Sequence, residues 1–138
     1  NTLLCVVCDG MGGAKAGNVA SAMAAEEFAR EIQTHYRASM SMEAVDALLD
    51  QAVKNANFAV YDKAHQSEEF EGMGTTLVAL LIQGKKATVV NVGDSRIYQF
   101  RGGKILYQSG RFPTIDLKEV VEEITGYAIP KLLEESKE

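Results

Sequence analysis

The sequence predicts an α+β fold with antiparallel strands, and three observations carry that prediction. Residues 2–8 form an unbroken apolar run ending at Asp9. Two helical patterns then follow one another up to about Val60. Short β-rich runs punctuated by glycine turns occupy the stretch from Thr75 to Gln108.

Taken in chain order, residues 2–8 suit a strand buried on both faces that delivers Asp9 to a loop. Gly10, Gly12, Gly13 and Gly17 interrupt regular structure, and the alanine-rich stretch from about Asn18 predicts a first helix reaching about His35. The second helix has the clearest periodicity. Val45, Leu48, Leu49, Ala52, Val53, Ala56 and Val60 fall on one helical face, and Ser41 is placed to cap it. Beyond the acidic loop Ser67 to Gly72, Thr75 to Ile82 and Ala87 to Val92 read as paired strands around a turn at residues 83–86. Ile97 to Arg101 and Ile105 to Gln108 flank Gly102-Gly103, a pair able to take the positive φ of a tight hairpin. Together these predict a four-strand meander. Asp116 resembles a helix cap with Glu119 at the third position. Leu117, Val120, Val121 and Ile124 predict a third helix, stopped by Gly126 and followed by a short one opened by Pro130.

With 138 residues the chain fits one domain, and 46% hydrophobic with 24% charged residues is ordinary globular composition. The longest apolar run, Leu77 to Ile82, is far short of the ~20 residues that cross a bilayer, so no membrane association is expected. The opening residues carry no basic leader, which argues against a signal peptide. Fourteen basic against nineteen acidic side chains give a net charge of −5, the wrong sign for a nucleic-acid binder. Cys5 and Cys8 lie three apart in a strand and point to opposite faces, so they read as two buried thiols, not a disulfide or a zinc pair. A reducing, cytoplasmic location is the expectation.

Three segments carry chemistry. Asp9-Gly10-Met11-Gly12-Gly13 sets a carboxylate at a strand end before glycines that let a ligand approach the backbone. A phosphate loop is excluded because Lys15 lies between Ala14 and Ala16, and the dinucleotide pattern lacks its third small residue. Asp9 would repel a phosphate held directly by this loop, whereas a hard divalent cation between them removes the conflict. Gly93-Asp94-Ser95-Arg96 supplies a second acidic turn, and Gly72-Met73-Gly74-Thr75-Thr76 a glycine-flanked entry to a strand. Alone, the first of these favours a structural turn, and the second reads equally well as a loop with no ligand.

Together and in this order, the segments resemble the metal-dependent protein phosphatases, the type-2C serine/threonine enzymes, and their bacterial branch in particular. The residues concerned are Val7 to Gly13 with Ala16-Gly17 and Ala20-Ser21, then Gly72 to Thr76, then Asn91 to Tyr98. They span about residues 3 to 108, and residues 109–138 look like a helical segment outside the resemblance.

The resemblance implies a partial α-β-β-α sandwich of antiparallel sheets flanked by helices, with a binuclear Mg²⁺ or Mn²⁺ centre. By that likeness Asp9 bridges the metals, Gly10 offers its carbonyl oxygen, and Asp94 serves a third, looser site. Metal-activated water would hydrolyse a phosphorylated serine or threonine of a protein substrate without a covalent intermediate. Met11 stands where many eukaryotic members carry a histidine, so leaving-group protonation would come from water or elsewhere. His35 and His65 read as solvated surface residues. The family's opening strand, with its phosphate-binding arginine and Asn-Glu-Asp run, has no counterpart before Asn1. Residues 109–138 lack the family's further Asp-Gly and Gly-Asn-Asp contexts. The expectation is a partial domain with little or no turnover. A non-catalytic, protein-binding relative is the alternative, and an unrelated metal-binding α/β protein a third reading. A truncated sheet edge or the C-terminal helix would offer a surface for homodimerisation.

Overall fold

The computed structural model describes residues 2–108 and 116–121. They fall into two compact groups, one formed by residues 2–7 with the chain from Thr76 onward, the other by Cys8–Thr75.

The first group is built on a four-stranded antiparallel sheet of order β1-β4-β5-β8, comprising β1 (Thr2–Val7), β4 (Leu77–Gln83), β5 (Lys86–Val92) and β8 (Asp116–Val121). The β4–β5 connection is a two-residue turn in which Gly84 takes φ 60°, and Gln83 pairs with Lys86 across it. Every residue from Leu77 to Ile82 is buried, as an apolar strand with a neighbour on each side should be. One face of the sheet carries Val78, Leu80, Ile82, Ala87 and Val89. Ile97 closes over them, and Cys5, Val7 and Tyr98 pack against the cluster. Burying each large aliphatic side chain stabilises the sheet by about 1.5–3 kcal/mol. A separate hairpin, β6 (Tyr98–Arg101) with β7 (Lys104–Gln108), turns through Gly102 and Gly103 at φ 58° and 76°. The tight glycine turn is as the sequence predicts.

The second group holds the helices. α1 (Ala14–His35) buries Ala16, Gly17, Ala20, Ala24, Phe28 and Ile32, a stripe at four-residue spacing. α2 (Met42–Ala64) buries all seven residues that the periodicity selects. Ser41 caps α2, its hydroxyl accepting from the Ala44 amide at 3.1 Å. Asn55 Nδ2 of α2 donates to Glu31 Oε2 of α1 at 3.0 Å, and the same carboxylate meets His35 Nδ1 at 2.9 Å. The remaining pieces are the two-residue strands β2 (Gly10–Met11) and β3 (Gly74–Thr75), which pair with each other.

Five expectations need correction. The segment at 116–121 is a strand and not the start of a third helix: it pairs with β5 from Lys86↔Val121 to Asn91↔Asp116. β5 is buried from Ala87 to Asn91, and the backbone groups along a buried strand require partners, which β8 supplies. The proposed helical contact face of Leu117, Val120 and Val121 therefore does not form, while Ile124, Gly126 and Pro130 lie outside the described residues. The four-strand meander is two hairpins, because Gly93 at φ 100° and the irregular residues 93–97 part β5 from β6. β1 is not buried on both faces. It is an edge strand among the described residues, with Leu3 48% exposed. Cys5 and Cys8 are both free but only partly buried. Finally, α1 begins at Ala14, not near Asn18, and incorporates Gly17.

Candidate metal centre

Asp9 follows the last residue of β1 by two positions and is exposed. The loop that carries it is fixed by backbone contacts that only glycine permits. β2 pairs with β3 in the register Gly10↔Thr75 and Met11↔Gly74, so the first and third motifs lie side by side. On its other flank, Gly10 lies against the first turn of α1. A Cβ on Gly10 would fall inside the Gly17 carbonyl oxygen, and one on Gly17 would come within 3.1 Å of the Gly10 carbonyl. Gly12, at φ 111°, meets Met73, whose Cα would lie 2.8 Å from an added Cβ. Gly74 in turn leaves room for the Met11 side chain, since a Cβ there would meet Met11 Cε at 2.8 Å. Met11 itself is 62% exposed. The contact accounts for glycine at position 17 despite its place in a helix: a wider residue would press β2 away from α1.

Asp94, also exposed, sits on the turn between β5 and β6. Gly93 before it accepts a hydrogen bond from Asn91 Nδ2 at 3.1 Å. Ser95 after it shares a 2.8 Å hydrogen bond with Thr76 Oγ1. The second motif is thus tied to the last residue of the third. Asp9 belongs to the helical group and Asp94 to the sheet group.

The chemistry of the donor set fits a hard divalent cation. Asp9 offers carboxylate oxygens, and the adjoining Gly10 peptide offers a carbonyl, the ligand types that Mg²⁺ and similar ions prefer. Among the described residues no group of three or more His, Cys, Asp or Glu side chains comes together, so Asp9 and the peptide would supply only part of a coordination shell. Burial pushes the Cys5 and Cys8 thiols up, Cys8 to about 11. His35 and His65 are exposed at or just beyond helix C-termini, where His65 Nδ1 lies 2.7 Å from the Tyr61 carbonyl.

In the sequence Thr76 and Ser95 stand out only as motif members, and Asn91 does not stand out at all. The available signal is Asn91 itself, a polar residue one short of the end of β5 and wholly buried.

The protein phosphatase 2C profile matches residues 1–123, a span that includes all three motifs and β8. A putative protein phosphatase 2C-type from Streptococcus pyogenes is 37% identical over 95 residues, covering 68% of this chain and 37% of that protein. The crystal structure of a bacterial serine phosphatase bearing a point substitution superimposes with a TM-score of 0.76 at 32% identity, over 88% of this chain and 59% of that one. The catalytic domain of the serine/threonine protein phosphatase PstP, solved in complex with two manganese ions, gives 0.61 at 30% identity, over 98% and 50%. The chain thus spans between about a third and three fifths of the length of these relatives. On the extent of the profile match, with Asp9, Gly93-Asp94 and the Gly72–Thr76 segment all inside it, the chain belongs to the protein phosphatase 2C family.

Proposed function

We propose that this chain is part of a metal-dependent protein serine/threonine phosphatase, a single partial domain over residues 1–138, acting on phosphorylated protein. The observation that carries the reading is the clamped Asp9-Gly10 loop. Its glycines are pressed between α1 and β3, which fixes the backbone that directly follows the Asp9 carboxylate. The family membership and the relative solved with two manganese ions support the cofactor as Mg²⁺ or Mn²⁺. Divalent cations held there would supply an acidified water and neutralise charge on the phosphoryl group. Asp9 and Gly10 would hold the cations, and Asp94 would serve a looser additional one. Met11 carries no transferable proton, so it takes no part in acid–base chemistry. Since Asp9 and a single peptide oxygen make only part of a shell, this chain alone is expected to turn over weakly or not at all.

The reading further places the protein in the cytoplasm, free of nucleic acid and membrane; no helix among the described residues is long and apolar enough to cross a bilayer. The edge that β1 forms among the described residues is the surface proposed for self-association, which a monomeric mass by light scattering would refute. The deciding experiment measures Mn²⁺-dependent hydrolysis of an aryl phosphate by this chain and by a form extended to the length of its relatives, each beside Asp9→Asn. The extended form should be active and lose at least about a hundredfold with Asp9→Asn, about 2.7 kcal/mol of barrier. Activity indifferent to Asp9→Asn would defeat the mechanism. An extended form inactive with every cation would favour the non-catalytic, protein-binding reading.

A further inference from the structure

We infer that Thr76 is a positioning residue for Asp94, acting through Ser95, with Asn91 completing the clasp from the other side. The inference rests on the reading of Asp94 as a cation ligand. Leu77 pairs with Val92 in the β4–β5 ladder, which leaves Thr76 and Gly93 facing each other where the ladder ends. There one side-chain hydrogen bond links the two segments, and a second, local to the turn after β5, braces its backbone. Thr76 Oγ1 and Ser95 Oγ lie 2.8 Å apart, and Asn91 Nδ2 donates to the Gly93 carbonyl at 3.1 Å. Both residues flanking Asp94 are therefore held, while Asp94 itself remains exposed.

Two further features set this turn apart from an ordinary one. Asn91 is completely buried, so its amide is committed to the interior, and the bond to Gly93 satisfies part of it. Gly93 adopts φ 100°, and a Cβ there would come within 3.0 Å of Thr76 Cγ2. The backbone thus closes onto the face of Thr76 at a position where other residues are strained. A carboxylate presented on such a turn loses less freedom when it binds an ion than one on a loose loop.

The test is an Mg²⁺ titration of the ¹⁵N-labelled chain, reading an apparent affinity from the amide shifts of Gly93, Asp94 and Ser95. Thr76→Val keeps the shape and removes the hydroxyl, Thr76→Ser keeps the hydroxyl, and Ser95→Ala removes the partner. Loss of one such hydrogen bond should weaken the local affinity about fivefold in Thr76→Val and in Ser95→Ala. Thr76→Ser should match the parent, with spectra elsewhere unchanged. Parent-like affinity in Thr76→Val and Ser95→Ala, in a chain where Asp94→Asn abolishes the response, overturns the positioning role alone. An equal loss in Thr76→Ser overturns it too, by assigning the effect to packing. A response that survives Asp94→Asn removes Asp94 as a ligand, and the inference falls with that reading.

Discussion

Gly17 shows how a single missing side chain sets the geometry of the loop bearing Asp9. In the interior of a helix, replacing glycine by alanine ordinarily stabilises by about 0.5–1 kcal/mol through lower backbone entropy. Here the added methyl would sit 3.1 Å from the Gly10 carbonyl carbon and oxygen and 3.2 Å from the Met11 amide nitrogen. These are backbone atoms held by the β2–β3 pairing, so they cannot swing away as a flexible side chain would. Overpacking of this kind costs about 1–3 kcal/mol, which exceeds the propensity gain and fixes the sign. Gly17→Ala should therefore lower the urea midpoint of the chain. Gly10→Ala, where the new atom falls on the Gly17 carbonyl oxygen itself, should lower it further. A stabilised Gly17→Ala would mean that β2 does not press on α1.

Among the elements, α2 is the one the sequence describes most fully. Seven apolar residues at helical spacing have only one face on which to meet, and Ser41 marks the start with a side chain suited to the first free amides. α1 is legible in its body but not at its beginning. Glycines in sequence signal a break, whereas the reason for Gly17 is a tertiary contact with β2 that no local pattern contains. β8 misleads for a related reason. Leu117, Val120 and Val121 fit helical spacing, but over six residues that spacing does not exclude a strand, and the demand of β5 for a second neighbour decides the matter. The same division holds at the site. Asp9, Gly10 and Asp94 stand out because acidic and glycine residues at strand ends are unusual outside turns and ligand sites. The Thr76–Ser95 bond joins residues far apart in the chain, through hydroxyls that are common everywhere, and becomes visible only when β4 and β5 are paired.

At the scale of the whole molecule, the chain leaves the sheet after Val7, builds the helical group, and returns at Thr76. The β1–β4 ladder therefore joins Thr2 to Gln83 and Val7 to Val78, closing a loop that contains both helices. The α1–α2 pair, by contrast, is a local hairpin of helices linked by a short connection. Loop closure costs entropy that grows with the logarithm of the enclosed length, and it must be met before distant strands stabilise one another. The helical pair should thus form ahead of the sheet. Leu49, fully buried in α2, and Val78, fully buried in β4, report on the two groups separately. Leu49→Ala should destabilise by about 2–5 kcal/mol and Val78→Ala by less, the cost of large-to-small changes in a core. In folding kinetics Leu49→Ala should chiefly slow refolding, with a φ-value above one half, whereas Val78→Ala should chiefly speed unfolding, with a value near zero. The reverse order, with Val78 structured and Leu49 unstructured at the barrier, would mean that β1 and β4 meet before the helices between them have formed. Closure of the long loop would then be the early event, and the local stability of the helical pair would have no part in guiding Asp9 to its place.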